Sequence, residues 1–467
     1  MIYIQTDTKC VDEINADEEL YEKHFDRLMN IESSLEKQKE EILNYLYDIC
    51  TEFINSHTIS ICEENFSSIL YENMNSMLFC AIENQYELEE NLYEFLKSPG
   101  IFISKAIKLV YTKHIPIRSY KSTFIRSNVN VEKDVLSEKI KRCDNVIQPD
   151  QRTKEWYEFR HGIITASSAW KVFDSPAVLN SLIYEKCKPY VIKASSGDFV
   201  NTESPLHWGQ KYEPLSVMLY ESYYDTKIGE YGCIPHEKIK YIGASPDGIN
   251  IDPNSERYGR MLEIKNIVNR EITQIPKKEY WIQMQLQMEV CNLNECDFLE
   301  TRFVEYDNEG DFMLDGSDVE SADGKMKGII LLFYKENKPL YEYYTRSIHG
   351  DFDKWEKQMF VNHADNMFMR TIYWKLDEIS CILVLRNKKW FAKAVVEMGK
   401  TWDIITHEKV HGYEHRAPKK RVRKTSFDIS ENKCHVNLSS KLSTAISADD
   451  ALVDTIHDDK DNSDTNL

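Results

Sequence analysis

The sequence predicts a mixed protein of the α/β (α+β) class, with helices gathered at the N-terminal end and strands beyond the middle. Three observations carry this. Charged stretches with apolar residues at helical steps run from Asp17 to Ile49 and from Ser67 to Phe95. Apolar runs bounded by turn residues, Gly328 to Tyr334 and Leu340 to Arg346 around Asn337-Lys338-Pro339, have the form of a strand pair. Between these regions a short strand, Leu262-Glu263-Ile264-Lys265, is followed by an apolar helix from Tyr280 to Met288.

In the first helical stretch Leu20, Phe25, Leu28, Met29, Leu35, Ile42, Leu43 and Leu46 recur among charges, and Pro99-Gly100 ends the second. Met1 to Gly100 holds 22 acids and 6 bases, most of the net charge of -19. An acidic helical domain over residues 1–100 is expected, either a bundle with solvated faces or a docking module for a basic partner. Residues 101–144 form a basic connecting segment. Lys105, Lys108, Lys113, Arg118, Lys121 and Arg126 alternate there with Phe102, Tyr111, Tyr120 and Phe124, and no acid lies between Lys97 and Val131. Such a strip can track a phosphate backbone, although an ordinary connection has the same look.

Residues 145–370 carry the chemistry, the strand pair and a helix expected from Asp351 to Met369. Asp307 to Lys325, rich in Asp, Gly and Ser, is expected to be a loop. A helical extension is expected over 371–417, with a helix from Asn387 to Ile405. Past Pro418 the bases Lys419, Lys420, Arg421, Arg423 and Lys424 precede a Ser/Asp-rich end, so 418–467 is expected to be a basic cluster with a disordered tail. That cluster suits a nuclear-import signal or a nucleic-acid tether.

Composition narrows the function. With 467 residues the chain has room for about two to four folded units. At 42% hydrophobic and 29% charged it is neither collagen-like nor wholly disordered. No apolar run approaches the roughly 20 residues of a membrane helix, so no membrane partner is expected. Met1 to Asp12 lacks a basic start followed by an apolar stretch, which points to an intracellular protein. Eleven cysteines without a CxxC pair give neither a zinc motif nor a disulfide framework.

The most informative stretch is Gly243-Ala244-Ser245-Pro246-Asp247-Gly248, followed at hairpin distance by Glu263 and Lys265. Alternate strand residues share a face, so Glu263 and Lys265 point one way while Leu262 and Ile264 enter the core. Asp247 and Glu263 can hold a hard divalent cation through oxygen, and Lys265 can orient or deprotonate a water. Glu-x-Lys also occurs at Glu336 and Glu431, but only Glu263 has an apolar setting, an upstream Pro-Asp and the turn residues Asp252-Pro253-Asn254-Ser255 between. A surface strand with an ordinary Glu and Lys pair is the alternative. In Trp208-Gly209-Gln210-Lys211-Tyr212-Glu213-Pro214, Gly209 and Glu213 share a helix face, so a small residue allows close approach while Glu213 projects a third carboxylate. Gln283 and Gln287 share a face of the apolar helix, where buried amides require partners. A helix starting near Thr165, after Arg160, offers N–H groups to an anion, with Arg160 making a forked contact.

In order, Trp-x-x-x-Arg, Thr-Ala-Ser, Gly-x-x-x-Glu, Ser-Pro-Asp-Gly, Glu-x-Lys and Tyr-Trp-x-Gln-x-Gln resemble the YqaJ-type viral recombinase family, the lambda-exonuclease-like branch of the PD-(D/E)XK nucleases. The resemblance covers about Gln151 to Tyr306. It implies a restriction-endonuclease-like core, with a mixed central β-sheet flanked by helices. It implies Mg²⁺ or Mn²⁺, one or two ions per site, at Glu213, Asp247, Glu263 and the Ile264 carbonyl. Lys265 is then the catalytic lysine and Gln283 an accessory catalytic residue, while Arg160, Thr165, Ser167 and Ser245 form the phosphate-binding group.

The function so implied is a DNA exonuclease acting 5′ to 3′ on linear double-stranded ends and leaving 3′ single strands for viral recombination, repair or replication. Duplex DNA ends are its substrate, a single-strand annealing protein and a homotrimer its implied partners, and the host cytoplasm or nucleus its place. An endonuclease on the same fold is the nearest rival. A non-catalytic DNA-end scaffold is the other.

Overall fold

The computed structural model describes residues 33–83, 100–121, 133–149, 151, 153–191, 202 and 204–418. The periodic N-terminal stretches overlap α1 (Ser33–Ser56), which continues past Ile49, and α2 (Phe66–Glu83), and α3 (Gly100–Lys113) follows. Leu46, Cys50 and Ile54 of α1 are buried with Leu70 and Met74 of α2 and with Phe102, Ala106 and Val110 of α3. Their outer faces present Glu41, Asp48, Glu52 and Glu72 to solvent. The apolar stripe of each helix is thus spent on the others. Residues 1–32 and 84–99, part of the expected acidic domain, lie outside the described residues, as do 419–467 with the basic cluster.

The described residues of the basic stretch are mostly helical. The stretch contains α3 and α4 (Lys133–Asn145), and Phe102 and Tyr111 pack into the core rather than lining a groove. Arg118 is spent on carbonyls, and Tyr120 bridges to Leu383 through backbone hydrogen bonds of 2.8 Å in both directions. Phe124 and Arg126 are outside the described residues.

Next come α5 (Lys154–His161), β1 (Ile164–Thr165), α6 (Pro176–Cys187), α7 (Pro205–Tyr224), β2 (Ile228–Gly229), β3 (Ile234–Pro235), β4 (Ile242–Ala244), β5 (Gly248–Asn250) and β6 (Met261–Asn266). They are followed by α8 (Lys278–Cys291), β7 (Glu295–Glu305), α9 (Glu309–Leu314), β8 (Lys327–Lys335), β9 (Lys338–Tyr344), α10 (Arg346–His349), α11 (Phe352–Asn362), β10 (Met367–Leu385) and α12 (Lys388–His411).

The main sheet has the order β2-β5-β6-β7-β10-β8-β9, and a small sheet has the order β1-β4-β3. In the main sheet β6 and β7 run parallel, joined through α8, and the remaining neighbours are antiparallel. A parallel pair needs such a crossover. The mixed sheet, flanked by helices and joined to a helical N-terminal region, is the expected fold class.

Core packing explains the apolar run in β8. Ile330 and Leu332 pack with Tyr212, Leu215 and Leu219 of α7 on one face, while Ile329, Leu331 and Phe333 meet Phe312, Phe352 and Trp355 on the other. A strand covered on both faces loses its alternation. The β8–β9 turn has Glu336 and Asn337 at φ 49° and 63°, the double positive-φ geometry of a two-residue hairpin. The turn thus lies just before Lys338-Pro339.

Three expectations need correction. The helix expected from Asp351 to Met369 ends at Asn362, and the 19-residue β10 follows it into the sheet between β7 and β8. The segment 371–417 therefore begins as a sheet strand, and only from Lys388 is it helical. The helix expected near Thr165 is absent: Thr165 ends β1, and a five-residue 3-10 turn, Ala169–Phe173, comes next with no side-chain cap. Finally, a Cβ on Gly209 would meet nothing within 4 Å, so this glycine is not there for close approach.

Candidate active site

Asp247 sits where the chain leaves one sheet for the other. β4 belongs to the small sheet and β5 to the large one, and Ser245-Pro246-Asp247 is the crossing. Gly248 directly after it is required by space, because a Cβ there would lie 2.2 Å from Ile228 Cγ2. The β5–β6 hairpin then turns through Asp252 to Ser255, with Asn254 N donating to Asp252 Oδ1 at 2.9 Å. It returns so that Asp247 Oδ2 accepts the Ile264 N–H at 2.7 Å. A strand residue directs its N–H and C=O to the same side, so the Ile264 carbonyl also faces away from β7.

Glu263, 0% exposed, is held from two directions. Lys265 Nζ donates to its Oε1 at 2.5 Å, and Gln287 Nε2 donates to its Oε2 at 2.6 Å. The same Gln287 nitrogen lies 3.3 Å from the Ser245 carbonyl, tying α8 to the crossing. Lys265 Nζ also lies 4.9 Å from the centre of the Tyr280 ring. Gln283 shares the face of Gln287 one turn earlier and is part-buried, but Gln287 is the glutamine that reaches Glu263. Helical spacing placed both on that face without choosing between them.

Glu213 lies inside α7, which packs along β6 through Asn266: its Nδ2 donates to the Gly209 carbonyl at 3.2 Å, and its Oδ1 accepts from Ser216 at 2.7 Å. The carboxylates feel one another. Burial raises the pKa of Asp247 well above its ordinary value, the charges of Glu263 and Glu213 push the same way, and Lys265 and the Ile264 N–H oppose them. Burial by itself would lower Lys265, but Glu263 and Asp247 more than offset it and hold the side chain as an ammonium.

The donor chemistry fits a divalent cation in charge. Three carboxylates are matched by one ammonium, and Asp247 carries the strain of that excess. Ser245 Oγ and Gln287 Oε1 are buried beside them without a well-formed hydrogen bond. The coordination itself is not assembled: among the described residues no three His, Cys, Asp or Glu side chains converge on a point that a metal ion could occupy. Both oxygens of Glu263 accept hydrogen bonds, one from Lys265 and one from Gln287.

Arg160, Thr165 and Ser167 form a second polar group. Arg160 Nη2 donates to Ser167 Oγ at 3.0 Å, and its guanidinium carbon lies 4.0 Å from the centre of a Trp156 ring. Thr165 Oγ1 and Ser167 Oγ are 3.3 Å apart, with Thr165 buried and Ser167 exposed. Parallel pairing of Thr165 with Gly243 sets this group beside the strand leading to Ser245. The anion-facing helix start expected here is replaced by a strand end and a turn.

Residues 155–294 match the YqaJ-like viral recombinase domain. The chain is 30% identical over 346 residues to an uncharacterized protein of Acanthamoeba polyphaga mimivirus, a match covering 65% of this chain and 60% of that protein. The chain therefore spans about three fifths of the length of the curated relative it matches. Among solved structures it is similar to an alkaline exonuclease from Laribacter hongkongensis, determined also in complex with dAMP. That likeness has 19% sequence identity, covers 56% of this chain and 95% of that one, and gives TM-scores of 0.32 and 0.31. Among the described residues no helix is long and apolar enough to cross a membrane.

Proposed function

We propose, from the YqaJ-like viral recombinase match of residues 155–294, that this chain is a divalent-metal-dependent deoxyribonuclease. In that reading it digests linear duplex DNA 5′ to 3′ from its ends and leaves 3′ single strands for recombination. The observation that carries the reading is the meeting of Asp247, Glu263 and Lys265 through one hairpin, with Gln287 closing the far side.

Glu213, Asp247, Glu263 and the Ile264 carbonyl would hold Mg²⁺ or Mn²⁺. When bound, such a cation polarises the phosphodiester and lowers the pKa of a water. Lys265, kept protonated by its acidic neighbours, sets a positive charge beside the phosphate as negative charge develops on it. Without a cation Glu263 and Asp247 hold Lys265 as an ammonium, and a bound cation would compete for the same two carboxylates. Gln287 keeps the Glu263 carboxylate from turning away, and Gln283 is the accessory residue one turn nearer the start of α8. Arg160, Thr165, Ser167 and Ser245 would receive the terminal phosphate, Arg160 through its planar fork.

End-labelled linear duplex, with and without a 5′ phosphate, incubated with Mg²⁺ and followed in time, tests this. Release of nucleotides from 5′ ends, faster with the phosphate, and untouched covalently closed circles are expected. Cutting of the circles would make the enzyme an endonuclease, and no metal-dependent cleavage at all would refute the reading.

A further inference from the structure

The N-terminal bundle meets the proposed catalytic centre at one helix terminus. α8 begins at Lys278, and its N-cap residue, Lys277, supplies no side-chain oxygen to the first-turn amides. A helix start leaves those amides without partners. The missing oxygen comes from far upstream: Glu64 Oε1 accepts the Lys278 N–H at 3.1 Å, and Glu63 Oε1 accepts Lys278 Nζ at 2.6 Å. Carboxylates at this end of a helix are also favoured by its dipole.

Beside them Arg118 ties four carbonyls together. Its Nη1 lies 3.3, 2.5 and 3.2 Å from the oxygens of Ile61, Cys62 and Glu63, and its Nη2 lies 2.7 Å from that of Pro276, two residues before α8. The guanidinium carbon is 5.5 Å from the centre of the Trp281 ring in the first turn of α8, and Trp281 Nε1 donates back to the Arg118 carbonyl at 3.2 Å. Trp390 of α12 adds a bond from Nε1 to the Ile59 carbonyl at 3.2 Å. Arg118 Nη1 thus holds the segment Ile59 to Glu64, and the other contacts join that segment or Arg118 to the elements that carry or abut α8. Further along the same helix is Gln287, bonded to Glu263.

We propose that Arg118, with Glu63 and Glu64, is a positioning device: the acidic N-terminal region caps and braces α8 from outside and thereby fixes the contact between Gln287 and Glu263. The brace stands on geometry alone, whereas its effect on cleavage rests on the nuclease reading above. A lysine cannot replace Arg118, because one ammonium cannot span carbonyls on both sides of the junction as the planar fork does. Burial lowers its pKa to about 10, which leaves it charged at neutral pH.

The test uses the full chain and its Arg118→Met, Arg118→Lys and Glu64→Ala variants, read by hydrogen exchange of residues 278–287 and by kcat and KM on linear duplex. Arg118→Met is expected to lower protection of α8 about tenfold or more while β7 and β10 keep theirs. A similar fall in kcat with KM within about twofold should accompany it, since binding surface is untouched. Arg118→Lys should behave like Arg118→Met. Glu64→Ala, at an exposed position, should lose about fivefold protection confined to the first turn of α8. Unchanged exchange in α8, or a loss spread evenly over the sheet, overturns the proposal. Should Arg118→Met fail to fold, Glu64→Ala decides by the same criterion. If the wild-type chain cleaves no DNA, the nuclease reading falls while the exchange result still decides the brace.

Discussion

Gln287 Nε2 donates to one oxygen of the buried Glu263 carboxylate at 2.6 Å, leaving the other oxygen to Lys265 at 2.5 Å. A hydrogen bond to a buried charge is worth about 1.5–3 kcal/mol, which is roughly ten- to a hundredfold in rate if the contact is needed in the transition state. Gln287→Leu is therefore expected to lower single-turnover cleavage of linear duplex by that factor. Gln283→Leu should cost about threefold or less, because its amide is not bonded to Glu263. Equal losses at the two positions would show that contact to Glu263 is not what matters.

Lys265→Met should abolish cleavage, a loss of about a thousandfold or more, if its ammonium faces the charge that develops on phosphate. The variant should keep its circular dichroism spectrum but melt earlier than wild type in the absence of metal. Glu263 is then a buried carboxylate deprived of its ion partner, which is costly. Retained cleavage would remove Lys265 from the chemistry, and an unchanged melting temperature would show that the pair contributes nothing to the metal-free fold.

The sequence made the hairpin residues legible because local spacing determines them. A Pro-Asp, four turn residues and Glu-x-Lys in an apolar run leave few ways to pair, and the turn at Asp252 forms where those residues stand. What was hidden depends on partners far along the chain. Gln283 and Gln287 are equivalent on a helical wheel, and only the docking of α8 against Ser245 separates them. Thr165 looked like a helix start because β1 is two residues long and exists only by pairing with β4. β10 escaped because its alternation is broken by register shifts near Phe368 and Leu376 and by Lys375, Asp377 and Glu378. Glu378 is paired with Arg302 of the neighbouring β7, and Asp377 with Lys325, two residues before β8. Arg118 looked like one more base in a basic strip, since carbonyl partners 55 to 158 residues away leave no trace in composition.

Gly209→Ala should stabilise the protein. A Cβ there meets no atom within 4 Å, the position is helical, and its backbone is not among the positive-φ residues. Alanine in a helix interior is worth about 1 kcal/mol over glycine. Thermal melting of the metal-free protein checks this, and cleavage should be unaffected because the Gly209 carbonyl still accepts from Asn266. A destabilised variant would mean that α7 approaches a neighbour more closely at this point than its surroundings indicate.

Asp247→Asn separates stability from chemistry through pH. Burial first, then the charges of Glu263 and Glu213, raise the folded-state pKa of Asp247 well above the ordinary 3.8. The folded chain thus binds this proton more tightly than the unfolded chain, and stability falls as pH rises from about 3.8 through the raised value. Asparagine keeps an oxygen to accept the Ile264 N–H and removes the charge. In EDTA the variant should therefore melt higher than wild type by about 2 °C or more near neutral pH, and the gap should close as pH falls towards 4. Mg²⁺ should reverse the order, because a cation that binds only the folded state stabilises wild type and finds fewer charges in the variant. Cleavage by the variant should be lost at every pH. A gap that does not change with pH, or a wild type more stable than the variant in EDTA, would show that the three carboxylates do not repel one another and that the case for a cation among them fails on its own electrostatics.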